Sequence, residues 1–252
     1  MLSKCERYFM SKKRAIGVNE YTSKKSNPKG SKYYDIILAS FVAFLLVSNI
    51  GAVKIIDIHG FLTDGGAILF PLTYIFGDIL TEVYGFKYAR RAIWTAFAIM
   101  ALASIVFLLV GKAPAGAEWG LQSSWDDILG FVPRIVIASL VAFLVGQFMN
   151  AFVLAKLKVK YGKDKLWVRL TGSTIVGELF DTAVFTLVAF TASGFMSGPQ
   201  MVKFIIQGWI FKTVVEIIML PITYKIIAFL KKEENRDALD TNTNFSPFRL
   251  NI

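Results

Sequence analysis

The chain has 252 residues, 55% of them hydrophobic and 18% charged, with a mean hydropathy of +0.54 and a formal net charge of +10. That is the composition of one membrane domain. A nucleic-acid surface is excluded by where the charge sits: nine of the 28 Lys and Arg fall in the first 32 residues and most others in loops beside apolar spans. With one cysteine, Cys5, and one histidine, His59, neither a disulfide framework nor a Cys/His metal site can be built.

Residues 1–32 form a basic tail with Pro28 and Gly30 near its end. It lacks the apolar core and small-residue cleavage site of a signal peptide, so the expectation is a disordered cytoplasmic segment acting as a topology anchor. The first span is expected over residues 34–53, with Asn49 as its strongly polar member, and a short return over 54–65 carries His59. A lone loop histidine is an incidental residue more often than a catalytic one. The second span covers 66–84 and ends in the basic turn 85–91; the third covers 92–110, with Trp94 at the boundary where an indole prefers to lie. The loop 111–133 holds Trp119 and Trp125 and reads as an interfacial, outward-facing segment. The fourth span, 135–157, carries Gln147 and Asn150 on one face; the fifth, 170–192, and the sixth, 201–230, follow. Pro221 is a candidate kink in the sixth, and a polar, disordered tail is expected from Lys231 onward.

Lys and Arg number nine in the N-terminal tail, then one, three, one, six and none in successive loops, and four in the C-terminal tail. The alternation predicts six spans with both termini inside. The domain layout is then a tail over 1–32, a transmembrane domain over 33–232 and a polar tail over 233–252. Within the domain, spans one to three (33–111) and four to six (131–232) make two three-helix halves of opposite orientation, an inverted-topology arrangement known from transporters.

The middle helix of each half carries acids. In Phe70-Pro-Leu-Thr-Tyr-Ile-Phe-Gly-Asp-Ile-Leu-Thr-Glu-Val-Tyr-Gly85, Asp78 and Glu82 stand one helical turn apart and share a face. In Gly172-Ser-Thr-Ile-Val-Gly-Glu-Leu-Phe-Asp-Thr182, Glu178 and Asp181 again follow a glycine, and Thr171 and Thr174 extend their polar stripe. The sixth span adds Lys212 and Glu216 at i,i+4. At about 1.5 Å per residue these six groups fall between the bilayer middle and its cytoplasmic side. Taken singly, Gln147 reads as interhelical hydrogen-bond glue and Lys212 as a packing partner for Glu216 or another acid. Taken together, four acids exceed one lysine, and charges in hydrocarbon cost several kcal/mol each, so the helices are expected to gather them around a polar binding site.

Those two stretches, with the following Lys87, Arg90 and Arg91, closely resemble the signature segments of the queuosine-precursor transporter family, a group of vitamin-uptake-type membrane transporters. The likeness covers residues 34–232. It implies import of 7-deazaguanine bases, the cyano and aminomethyl precursors of queuosine, across a bacterial inner membrane for tRNA modification, with no cofactor and no enzymatic activity. The implied partners are the small-molecule base and membrane lipid, not nucleic acid, and a homo-oligomer stays open. A guanine-like edge presents adjacent N–H donors that a carboxylate accepts in a bidentate pair. Asp78, Glu82, Glu178 and Asp181 are the acceptors available, with Glu216 and Lys212 beside them. Asn150 and Gln147 suit the carbonyl and ring nitrogens, and Tyr74, Phe76 or Trp209 could stack on the plane. Two other readings compete. One is a binding subunit driven by an ATP-hydrolysing partner, since this chain has no Gly-x-x-x-x-Gly-Lys-Ser/Thr. The other is an intramembrane aspartyl hydrolase built on Asp78 and Asp181.

Overall fold

The computed structural model describes residues 31–51, 54–58, 61–129, 133–162, 165–191, 197–241 and 243–248. His59 and residues 1–30 of the basic tail lie outside them, and the compact unit begins at Tyr33. In chain order its elements are α1 (Tyr34–Gly51), a hairpin of β1 (Ile55–Ile58) and β2 (Phe61–Asp64), a 3-10 turn (Gly65–Ile68) and α2 (Phe70–Ile79). A π turn (Leu80–Tyr84) follows, then α3 (Phe86–Gly111), α4 (Gln122–Leu129), α5 (Pro133–Tyr161), α6 (Leu166–Phe190) and α7 (Gly198–Glu233). Four of these helices, α1, α3, α5 and α7, are long and apolar enough to cross a bilayer. Their outward faces are apolar: Leu102, Ile105 and Leu109 on α3 and Ile210, Ile218 and Ile222 on α7 are all exposed. A water-soluble bundle does not show such faces. The protein is an all-α, multi-pass membrane bundle.

α2 sits inside this apolar frame, whereas α6 turns its acids inward and leaves Ile175, Leu179 and Leu187 exposed. α2 packs against α1, α5 and α7, and α6 lies between α5 and α7. Close approach is made by small side chains: Ala89, Ala92 and Ala96 on α3 and Ala138, Ala142, Ala151 and Ala155 on α5 are all buried. Phe41, Leu45, Ile79, Leu80, Val83, Phe86, Ile93, Leu154 and Ile227 fill the space between.

Four boundaries depart from the sequence expectation and bring charge into a helix, among them the end of α7, which runs to Glu233 and takes in Lys231. α3 starts at Phe86, so Arg90 and Arg91 stand in its second turn; α5 runs to Tyr161 and takes in Lys158; α6 starts at Leu166 and takes in Arg169. Apolar periodicity marks where lipid begins, whereas a helix continues as long as its polar end finds partners. The return loop is an antiparallel hairpin pairing Ile55 with Asp64 and Ile58 with Phe61. In the loop between α3 and α5, α4 is tied down by Gln122, whose amide donates to the Gly111 carbonyl at 2.9 Å.

The tail expected to be disordered is ordered over the described residues. Asp240 Oδ2 accepts the Phe86 N–H at 3.0 Å and caps the first turn of α3 from 154 residues away. Gly85 precedes that turn at φ 91°, a backbone only glycine adopts readily, and a Cβ there would press on Ala238 at 3.0 Å. Arg90, buried, donates to the carbonyls of Asn244 and Ser246 at 3.0 and 2.8 Å, and the Trp94 indole donates to that of Pro247 at 2.8 Å. The Phe245 ring lies 5.0 Å from Phe86 and 5.3 Å from Phe152, with the Lys156 ammonium 4.3 Å from its centre. Polar composition hid this docking, because the anchors are backbone carbonyls that any residue supplies. Replacing Asp240 by alanine leaves α3 uncapped, with an expected loss of about 1 kcal/mol. The checking measurement is the melting temperature of the detergent-solubilised protein, which should fall in Asp240→Ala and less in Asp240→Asn.

Candidate functional site

The buried polar groups fall into two clusters. The first is assembled from α2, α5, α6 and α7. Asp78 Oδ1 accepts from the Asn150 amide at 2.7 Å and from the Ser173 hydroxyl at 3.4 Å. Further along α6, Lys212 lies 2.7 Å from Asp181 Oδ2 and 3.5 Å from Glu178 Oε2. Glu216 Oε1 accepts from Thr174 at 2.8 Å. Tyr74 stands in the midst, fully buried, within electrostatic reach of Asp181, Glu178, Glu216 and Asp78, its hydroxyl directed at the Gly177 carbonyl at 3.4 Å. The four acids, Gln147 and Asn150 are each at most 3% exposed.

These groups outnumber their partners. Among the described residues, Glu178 Oε1, Glu216 Oε2, Asn150 Oδ1 and both amide atoms of Gln147 make no hydrogen bond, and neither do the hydroxyls of Thr182 and Thr213. A buried polar atom left unmet costs about 1–3 kcal/mol, and folded proteins seldom keep one. Most of the unmet atoms are acceptors. The carboxylates are not disposed as a metal site: no group of three or more His, Cys, Asp or Glu able to hold an ion occurs among the described residues.

The cluster is tight because glycines leave room for it. A Cβ on Gly146 would sit 2.2 Å from the Tyr74 hydroxyl and 2.7 Å from Asp181 Cβ; on Gly177, 2.7 Å from Asn150 Cβ; on Gly77, 2.6 Å from Gln147 Oε1. Each glycine admits a polar side chain from a neighbouring helix.

The second cluster surrounds Glu82. Its Oε1 is 2.6 Å from Arg169 Nη2, 2.6 Å from Lys231 and 3.4 Å from Lys158; Asp237 is 2.6 Å from Lys158 and 2.9 Å from Lys231. Lys158 also donates to the Glu82 carbonyl and Arg169 to that of Gly162. Asp78 and Glu82, expected to share one face and one site, thus have separate partners. Four residues of helix raise Glu82 about 6 Å along the axis from Asp78, and a π turn begins between them at Leu80.

Other sequence expectations divide in the same way. Lys212 does not pair with Glu216 one turn away but crosses to α6. Trp209 is half-buried and gives its indole N–H to the Ile175 carbonyl at 2.9 Å, tying α7 to α6. Phe76 stacks on Phe44 at 5.4 Å. Counting a single cation against four acids fell short because Lys158, Arg169 and Lys231 were assigned to loops and a tail. Position held the missing signal: Arg169, Ser173, Gly177 and Asp181 step by four along α6, and Lys158 continues the face of Gln147, Asn150 and Leu154 on α5.

The family profile described as "Putative vitamin uptake transporter" matches residues 64–226. A Bacillus subtilis protein named "Probable queuosine precursor transporter" is 30% identical over 191 residues, 74% of this chain and 81% of the relative. The Escherichia coli "Queuosine precursor transporter" is 26% identical over 189 residues, 74% and 82%. The chain belongs to the queuosine-precursor transporter family. No solved structure matches it. The matched family segment contains every residue of the first cluster, from Tyr74 to Glu216, whereas Lys231, Asp237 and the docked tail lie beyond its end.

Two outcomes follow from this geometry. Gly146→Ala should destabilise the protein by about 1–3 kcal/mol through overpacking, and Tyr74→Phe, which removes the clashing oxygen, should restore part of the loss in the double variant, read as melting temperature. The second concerns Asp237: burial alone pushes its carboxyl up, but Lys158 and Lys231 more than offset this and hold it below the ordinary carboxylate value. The lowered folded-state value means that the ion pairs' contribution is complete above about pH 5 and fades as pH falls through that value. The difference in melting temperature between wild type and Asp237→Asn should therefore be constant near neutrality and close in acid.

Proposed function

We propose that the protein imports a queuosine precursor, 7-cyano- or 7-aminomethyl-7-deazaguanine, which then feeds tRNA modification, and that the first cluster is where the base is held. The observation that carries this reading is the set of buried, unpartnered acceptors converging from α5, α6 and α7 beside Asp78. A deazaguanine offers adjacent N–H donors on one rigid edge, the complement of such a set. Glu178, Glu216, Asp181 and Asp78 bind that edge, Gln147 and Asn150 address the ring's acceptors, and the Tyr74 ring bounds the pocket. Glu82, held by three cations, shapes the site from below, and Trp209 supports it through α6. The names of the two relatives point to the same substrate class.

In this reading α1, the α2 segment with its π turn, α3, α5, α6 and α7 are six crossings of a bacterial inner membrane. They form two inverted halves over 33–111 and 131–232, with both termini in the cytoplasm. Alternating exposure of the cluster to the two sides moves the base. The α2 segment, short as it is, lies within the bundle and not against lipid, a common feature of helices that carry a transporter's binding groups.

Uptake of labelled base by cells lacking their own importer tests the assignment. Asp78→Asn and Glu178→Gln should each cut uptake at least about tenfold, the cost of one lost charge-assisted contact, while membrane levels stay normal. Undiminished uptake in both would refute it. Purified protein in liposomes should transport without any added ATPase.

A further inference from the structure

We infer that Lys212 is a tethered stand-in for the substrate: its ammonium rests on Asp181 and Glu178 where a donor of the ligand binds, and the ligand displaces it. This rests on the substrate reading above and adds a specificity-determining residue to it.

Four observations lead here. Lys212 has a carboxylate one turn away on its own helix, Glu216, the usual i,i+4 partner, yet its ammonium reaches across to α6 and leaves Glu216 Oε2 unmet. It is placed at the edge of the cluster: the Lys212 side chain is 19% exposed, whereas those of Glu178 and Asp181 are 0% and 4%. The stem can therefore swing outward while the acids stay sealed. In the same pose the Phe70 ring centre lies 4.4 Å from Nζ, so an aromatic face already shares the ammonium and would go on holding it as the carboxylates let go. Finally, the geometry the ammonium makes, one short contact to Asp181 and one longer contact to Glu178, is what an N–H-bearing or cationic group bridging the two acids would make.

Displacement has consequences that a static ion pair lacks. A ligand must better the ammonium's hold on two carboxylates, so one offering a single weak donor is turned away. A ligand carrying its own positive charge replaces what it removes, whereas a neutral one leaves the acids short of a cation. Lys212 thus sets both the threshold for entry and the balance between cationic and neutral bases.

The test uses the full-length purified protein, the aminomethyl base and the cyano base. In wild type, saturating aminomethyl base should raise the labelling of Lys212 by an amine-reactive reagent, followed by mass spectrometry. Lys212→Met, which keeps the stem and loses the charge, should bind the aminomethyl base at least about threefold more tightly, with a smaller change for the cyano base, while uptake slows because nothing expels the ligand. Lys212 labelling unaltered by the base, or weaker binding of both bases by a folded Lys212→Met protein, overturns the inference and leaves the substrate reading standing. The labelling arm decides the matter if Lys212→Met does not fold. Wild type binding neither base overturns both.

Discussion

A carboxylate inside a membrane bundle must be met by a donor, and the protein meets this demand in two opposite ways. Around Glu82 the demand is answered by charge on one oxygen: a guanidinium and two ammonium groups from α6, α5 and α7 converge on Oε1, while Oε2 makes no hydrogen bond among the described residues. Such a cluster is costly to desolvate and stronger to keep than to break, so it fixes the relative positions of the helices that contribute to it. A few residues away on the same segment, Asp78 and the acids of α6 and α7 are answered only in part, by one amide, two hydroxyls and one lysine. The first arrangement joins four helical segments through charge; the second leaves buried acceptors unmet.

Between the two stands a local departure from α-helix. The segment from Gly77 to Tyr84 carries an acid before and after the point where the turn widens, and Thr81 gives its hydroxyl to the Gly77 carbonyl at 2.8 Å just there. The glycines at 77, 146 and 177 play the complementary part, giving Gln147, Tyr74 and Asn150 the room in which to approach backbone.

Much of this was legible in the sequence, and the reasons for the rest are physical. The apolar spans and the acids within them were visible because each violates or satisfies the bilayer in a way that one residue reveals. Helical spacing placed Glu178 and Asp181 on one face of their span and Lys212 with Glu216 on one face of theirs. The fate of Glu82 was not legible, and neither were Lys158 and Arg169, because basic residues near a membrane edge look alike whether they face water or fold back under the bundle. The ordered tail was hidden most completely: Asn244, Ser246 and Pro247 contribute main-chain oxygens, which no side-chain pattern records.

The cap on α3 comes from Asp240, a residue that leaves the ribosome after every helix of the bundle has been made. During synthesis the Phe86 N–H therefore lacks this acceptor until Asp240 has been added, and the Asn244 and Ser246 carbonyls reach Arg90 later still. Completion of this end of the molecule is a late event in biogenesis, and a chain halted after α7 would be inserted but unfinished.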